Sequence, residues 1–347
     1  MVVSKIETTI LHYGGVCMIY ITGDTHGNFA RFSKKNLIRQ QVELTDNDFI
    51  IVCGDFGLCW ARDKTFENNC KLFSNKQYIV LWVSGNHENY DMIEEFPVEL
   101  WHGGKVRHIV RNKVILLERG QIFEIAGKTF FTFGGAASHD IQGGILDPAD
   151  PMFIKKKRLL LASGEQNHFR ILHESWWPQE LPTTIELQEG LRNLENVNYK
   201  VDYVITHCCS TSLQNKLCRG IQGVYQSDIL TDYFDDLEKK LQFNHWYFGH
   251  YHSDINIADK YTLLYHALIP IDYPKTLEDI TIIGRPKYNY KDTVQFSCGD
   301  EQHTGTVCVV DAWGTFEQNE EPSYDILVSD CIYKHIRESL ISDVKAQ

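Results

Sequence analysis

Short β-type runs that each stop on glycine or on a polar, ligand-type side chain constrain this chain more than any other feature. Met18 to Thr22 runs into Gly23-Asp24, Asp48 to Cys53 into Gly54-Asp55, and Tyr78 to Val83 into Gly85-Asn86-His87. Further on, Lys128 to Phe133 runs into Gly134-Gly135, Val201 to Thr206 into His207, and Trp246 to Phe248 into Gly249-His250-Tyr251-His252. Helical patterns lie between several of these runs, at Phe29 to Gln41, Asp63 to Asn75 and Ser227 to Leu241. Strands alternating with helices predict a layered α/β domain. Val114 to Ile125 reads as strand material broken at Arg119-Gly120. With 347 residues and 43% hydrophobic content the chain has material for a full core, which excludes wholesale disorder.

The pattern changes near residues 268 to 286, where Pro270, Pro274 and Pro286 fall. Beyond them come short alternating runs, Thr293 to Cys298, Thr306 to Val310 and Tyr324 to Val328, separated by turn material. They predict a small all-β, SH3-like module over 285–347, joined by a linker at 271–284 to a main domain at 18–270. The module holds 6 basic and 11 acidic residues, so packing or oligomerisation is its expected role rather than nucleic-acid binding. Met18 opens the first strand, and Gly14-Gly15 lies where purine-rich codons could form a ribosome-binding sequence. The expectation is therefore that translation starts at Met18 and that 1–17 is a spurious leader.

The formal net charge of −12 does not favour nucleic acid as a partner held by bulk charge, though it leaves room for a local site. No apolar run approaches the roughly 18 residues of a membrane span, and no secretory signal pattern opens the chain. The 10 cysteines form no Cys-x-x-Cys pair and read as reduced, mostly buried thiols. The expected compartment is the cytoplasm, by default rather than from a positive signal.

The chemistry lies at the strand ends. Asp24, His26, Asp55, Asn86, His207, His250 and His252 are all metal-ligand types, and open α/β sheets bind ligands at the carboxyl ends of their strands. In extended backbone, residues two apart face one side, which pairs Asp24 with His26 and His250 with His252. Any one of these residues alone would read as a turn, a cap or a core histidine; seven at successive strand ends read as one site.

Gly23-Asp24-Thr25-His26-Gly27-Asn28, Gly54-Asp55, Gly85-Asn86-His87-Glu88, His207 and Gly249-His250-Tyr251-His252 resemble, in order and residue type, the five blocks of the calcineurin-like metallophosphoesterases. The resemblance runs from Met18 to about Ala267 and is closest to the bacterial and phage group of that family. It implies a four-layer sandwich of two β-sheets flanked by helices, with two metal ions at one edge. It implies that Asp24, His26 and His252 hold the first ion, that Asn86, His207 and His250 hold the second, and that Asp55 bridges them. A carboxylate has two oxygens with which to bridge, which a neutral imidazole lacks. Two divalent ions less two carboxylates and a bridging hydroxide leave a formal charge of about +1, attractive to a phosphate ester. Ions roughly 3.5–4 Å apart would acidify a shared water and clamp in-line attack at phosphorus. Four imidazoles with carboxylate and amide oxygens suit transition metals, Mn²⁺ first, with Fe and Zn²⁺ as alternatives. In the family pattern His87 faces the substrate and protonates the leaving oxygen or steadies the phosphoryl group.

The implied function is a dinuclear-metal-dependent phosphomonoesterase or phosphodiesterase using a metal-bridging hydroxide. The alternatives are a metal-dependent nuclease and a non-catalytic scaffold on the same fold; the latter is disfavoured because all seven ligand types and His87 are kept. One departure stands out. The protein Ser/Thr phosphatase branch follows its second Gly-Asp with Asp-Arg-Gly, whereas here Phe56-Gly57-Leu58-Cys59-Trp60 follows and Arg62 comes later. Of the remaining features, Asn28 and Glu88 read as a helix cap and a positioning residue. Lys155 to Arg158 reads as a solvated helix face, Trp176-Trp177-Pro178 as packing, and His139-Asp140 as a border of the pocket. Arg31, Lys34, Lys35 and Arg39 read as the outer face of their helix.

Overall fold

In the central strands apolar residues run consecutively instead of alternating, so both strand faces must be covered. The computed structural model of the protein shows how; it describes residues 17–40, 42–162, 169–217, 225–257, 260–272, 286–299, 301–311, 321–329 and 331–343. A seven-stranded sheet runs in the spatial order Ile269–Pro270, Ile19–Thr22, Phe49–Val52, Ile79–Trp82, Val114–Leu117, Gly104–Val110 and Val98–Trp101. A six-stranded sheet runs Ile255–Ile257, Tyr261–Leu263, His245–Phe248, Tyr203–Thr206, Lys128–Phe133 and Gln121–Ile125. Within each sheet the strands that carry the ligand-type residues are parallel to one another, so their carboxyl ends emerge together.

Residue parity sorts the layers. Ile19, Ile21, Ile51 and Leu81 point inward and meet Phe123, Phe130, Ile205 and Tyr247 of the other sheet. Their neighbours Tyr20, Ile50, Val52, Val80 and Trp82 face outward onto Phe29, Phe32, Phe56 and Phe73. Phe131, Phe133, Val204, Trp246 and Phe248 do the same on the second sheet, under Leu187, Leu194, Leu230, Phe234 and Leu237 of the Thr184–Asn196 and Ile229–Glu238 helices. Each large side chain buried this way contributes about 1.5–3 kcal/mol. The expected four-layer sandwich is thus present, and the break at Arg119-Gly120 is the point where the chain leaves one sheet for the other. Gly120 has φ +68°, and a Cβ there would press on Gly190 of the Thr184–Asn196 helix.

A separate five-stranded antiparallel sheet follows, in the order Cys331–Arg337, Ser323–Val328, Glu301–Asp311, Thr293–Cys298 and Ile341–Asp343, around its own core of Val294, Phe296, Val307, Tyr324 and Ile326. The all-β module is present, with two strands that the sequence pattern did not predict, Cys331–Arg337 and Ile341–Asp343. Residues 1–16 of the suggested leader and 273–284 of the suggested linker lie outside the described residues.

The helix expected over Phe29 to Gln41 is instead a 3-10 turn, Phe29–Phe32, followed by an α-helix, Lys34–Arg39. Ser33 breaks it: its backbone is extended and its Oγ caps the second helix at Asn36 N. The break swings Arg31 inward, which corrects the outer-face reading. Arg31 is buried and donates to Thr22 Oγ1 (2.8 Å) and to the carbonyls of Gly23 (3.1 Å), Asp24 (2.6 Å) and Tyr265 (2.5 Å). Buried carbonyls beyond a strand end have no ladder partner, and a guanidinium satisfies several at once. Among the described residues no helix is long and apolar enough to cross a membrane, and no disulfide forms.

Candidate metal centre

Asp24, Asp55, Asn86, His207 and His250 are all buried where the parallel strands end. Backbone strain marks the place. His26, Asp55, His250 and His252 have φ of 45°, 46°, 71° and 46°, a left-handed conformation that costs a non-glycine residue roughly 1–2 kcal/mol. Close packing of the loops enforces it: a Cβ on Gly85 would overlap the Asp55 carboxylate, and one on Gly249 the Asp24 carboxylate.

Among the described residues two groups of donor atoms lie within 4.8 Å of one another, Asp24 with His26 and His252, and Asp24 with Asp55 and His207. Asp24 Oδ2 is 3.0 Å from His252 Nε2 and 3.8 Å from His26 Nε2, and its Oδ1 is 3.9 Å from His207 Nδ1. The Asp55 oxygens face different histidines, Oδ1 at 3.5 Å from His207 Nε2 and Oδ2 at 3.9 Å from His26 Nδ1. Asn86 Oδ1 is 3.1 Å from His207 Nε2. The His250 ring stands 5.0 Å from the His207 ring, without its nitrogens joining either group. All seven predicted residues line or border one place, and Asp24 belongs to both donor groups rather than to one.

The surrounding bonds aim these donors. His207 Nδ1–H donates to Cys53 O (2.7 Å), which turns Nε2 toward Asp55 and Asn86. Asn86 Nδ2 donates to Ser138 Oγ (3.3 Å), so its oxygen is the atom left facing inward. The His250 backbone N–H donates to both Asp24 oxygens, at 3.1 and 3.2 Å, and the His87 N–H donates to Asp55 Oδ1 at 2.8 Å. Glu88 Oε1 accepts from Phe56 N (2.9 Å), holding the loop after Asp55 as the positioning reading expected. Asn28 caps the 3-10 turn through Ala30 N.

Electrostatics show that the cluster attracts positive charge. Burial pushes the His207 ring down, but Asp55 and Asp24 outweigh it and raise the pKa to about 9. Burial likewise works against His252, and its hydrogen bond to Asp24 still raises it. Burial alone would raise Asp55, yet His207 and His87 hold it well below the usual carboxylate range. His26 Nε2 and His252 Nε2 are 2.9 Å apart, a spacing that calls for a shared proton or a cation between the rings. Carboxylates and aimed imidazole nitrogens in this arrangement fit divalent cations, which take the place of those protons.

The centre opens into a cleft of about 740 Å³ lined also by His87, Trp60, His139, Asp140 and Arg170. His139-Asp140 borders the pocket as expected. Trp177 is packed away at 1% exposure, its Nε1 donating to Asp91 and its ring edge-on to Trp60. No residue of the Lys155 to Arg158 run is buried, and Arg62 pairs with Glu95 on the surface. Two contributors went unforeseen. Arg31 clamps the Asp24 loop, and the C-terminal sheet brings Asp325, Lys334 and His335 to the cleft. Arg31 follows the first block at a spacing that could have marked it; nothing in the local sequence marks Lys334.

Residues 18–254 match the family model described as calcineurin-like phosphoesterase. No curated protein matches the sequence. Among solved structures, a phosphopantetheinyl hydrolase from Mycobacterium tuberculosis is similar, with 16% identity over 73% of this chain and 89% of that one, and a TM-score of 0.35.

Proposed function

The chain belongs to the calcineurin-like phosphoesterase family, and on that premise we propose that it hydrolyses a phosphate ester at a dinuclear centre held by Asp24, His26, Asp55, Asn86, His207, His250 and His252. The observation that carries this reading is the placement of Asp55, with one oxygen toward His207 and the other toward His26. Asp24, His26 and His252 would hold one cation, and Asn86, His207 and His250 the other. Two divalent transition cations, with Mn²⁺ the first candidate, supply Lewis-acid stabilisation of phosphoryl charge and an acidified water.

The chain's own residues do the rest. His87 is fixed through its backbone N–H on Asp55, and its ring lies 5.6 Å from that of His26 at the cleft. From there it can donate to the leaving oxygen or to a phosphoryl oxygen. Burial lowers its pKa, with Asp55 opposing, so the free ring is neutral and takes up a proton when an anionic substrate arrives. The strained loops hold the donors ready, so little reorganisation accompanies binding.

Full-length protein with added Mn²⁺ is expected to hydrolyse para-nitrophenyl phosphate or its bis-aryl diester. Removal of metal by chelation and dialysis is expected to lower the rate about 100-fold or more, with recovery on adding Mn²⁺ back. Undiminished turnover by verified metal-free protein would overturn the reading, and the ratio of the two substrates' rates assigns monoester or diester preference.

A further inference from the structure

The C-terminal sheet lies outside the family match at 18–254, yet it walls the cleft: Lys334, His335 and Asp325 line the same cavity as Asp55 and His87. Lys334 Nζ lies 2.6 Å from Asp140 Oδ2. The same carboxylate accepts from Arg170, whose Nε is 3.2 Å from Oδ1 and whose second terminal nitrogen closes on Oδ2. Two cations thus share one anion, and the cluster keeps a formal charge of +1.

That surplus charge is poorly solvated. The side chains of Lys334 and Asp140 are only 13% and 5% exposed, so it is little screened and favours a counter-anion. Asp325 lines the same cleft, but its Oδ1 accepts the His335 backbone N–H at 2.8 Å and, among the described residues, it makes no hydrogen bond to Lys334 or Arg170. An ammonium has three N–H donors and a guanidinium five. Among the described residues Asp140 is the only hydrogen-bond partner of either side chain, so donors remain for a ligand. The cleft volume of about 740 Å³ suits a whole small-molecule substrate rather than a lone phosphoryl group. On the proposed reading the reacting phosphoryl is met by the metal ligands and His87, and neither Lys334 nor Arg170 is among them, so their donors are available to another part of the substrate.

We propose that Lys334 and Arg170, yoked through Asp140, bind a second phosphate group of the substrate, so that the C-terminal sheet is a specificity-determining wall of the active site. This rests on the phosphoester-hydrolase reading and narrows the substrate class to small molecules carrying two phosphates. On this proposal the module does more than the packing or oligomerisation expected of it.

The test uses full-length, Mn²⁺-loaded protein and two probes, adenosine 5′-phosphate and adenosine 3′,5′-bisphosphate. Binding is measured by calorimetry, and inhibition against para-nitrophenyl phosphate turnover. Wild type is expected to bind the bisphosphate about tenfold more tightly than the monophosphate. Lys334→Ala is expected to weaken the bisphosphate at least about fivefold more than the monophosphate, and Lys334→Arg to restore most of the difference. Thermal melts of both variants verify the fold. Equal weakening of both probes, or no preference in the wild type, would overturn the proposal. If the wild type hydrolyses no ester, the hydrolase reading fails separately, while calorimetry still decides whether the bisphosphate is bound through Lys334.

Discussion

Asp55→Asn is expected to lower kcat/KM on para-nitrophenyl phosphate by about a thousandfold, roughly 4 kcal/mol of transition-state stabilisation, and to reduce bound metal from two ions per chain toward one. The carboxylate offers Oδ1 toward His207 at 3.5 Å and Oδ2 toward His26 at 3.9 Å. An amide keeps one oxygen acceptor and puts an N–H₂ donor where the other oxygen was, so it cannot bridge two cations. Loss of the negative charge also frees two histidines whose protonation it influences. Asn86→Asp is the matched comparison. It keeps an oxygen 3.1 Å from His207, adds charge, and gives up only the donation to Ser138. Its expected loss is about ten- to a hundredfold. Steady-state kinetics with metal analysis on both variants decide the matter, and the reverse ranking would remove Asp55 from the bridging position.

The second large effect concerns His87. His87→Ala is expected to keep both ions, because the ring is not one of the seven proposed ligands and the backbone N–H that supports Asp55 survives the substitution. Turnover should then depend on the leaving group. Para-nitrophenolate departs without a proton, and its ester should lose about tenfold; an alkyl phosphate such as glycerol phosphate needs that proton and should lose about a thousandfold. Equal losses on both esters would take the proton-donating role away from His87, and loss of metal would make the residue structural.

Much of this was legible in the sequence because it is local. The Gly-Asp, Gly-Asn-His and Gly-His-Tyr-His strand ends declare both the strand and the chemistry beyond it. Doubly apolar strands such as Phe49–Val52 announce a sheet covered on both sides. The break at Arg119-Gly120 was visible too, though not that it joins two sheets. What escaped was decided by distant contacts. Arg31 reads as a surface residue on an unbroken helix, and only the kink at Ser33, which brings its guanidinium to the carbonyls of Gly23, Asp24 and Tyr265, makes it a buried clamp. Lys334 lies in an ordinary alternating run, and its partner Asp140 is 194 residues away. The acidic balance of its module pointed away from nucleic acid, and net charge over a domain says nothing about which side chain reaches a cleft.

The left-handed backbone at His26, Asp55, His250 and His252 ties the two levels together. Those residues occupy unfavourable conformations where the proposed ligands converge, and glycines at 85 and 249 leave room for the carboxylates they face. Stability is spent there and recovered in the aromatic layer of Phe29, Phe32, Phe56 and Phe73 directly beneath the first two loops.

The central claim is that strand ends from five separate stretches of this chain enclose a pair of cations. Its most direct measurement is crystallography of Mn²⁺-loaded protein with anomalous scattering collected at the manganese edge. The account predicts two anomalous peaks roughly 3.5–4 Å apart, with Asp55 between them, His26 and His252 on one and His207 and His250 on the other. A single peak, or none among these side chains in protein that is active and Mn²⁺-saturated, would contradict it.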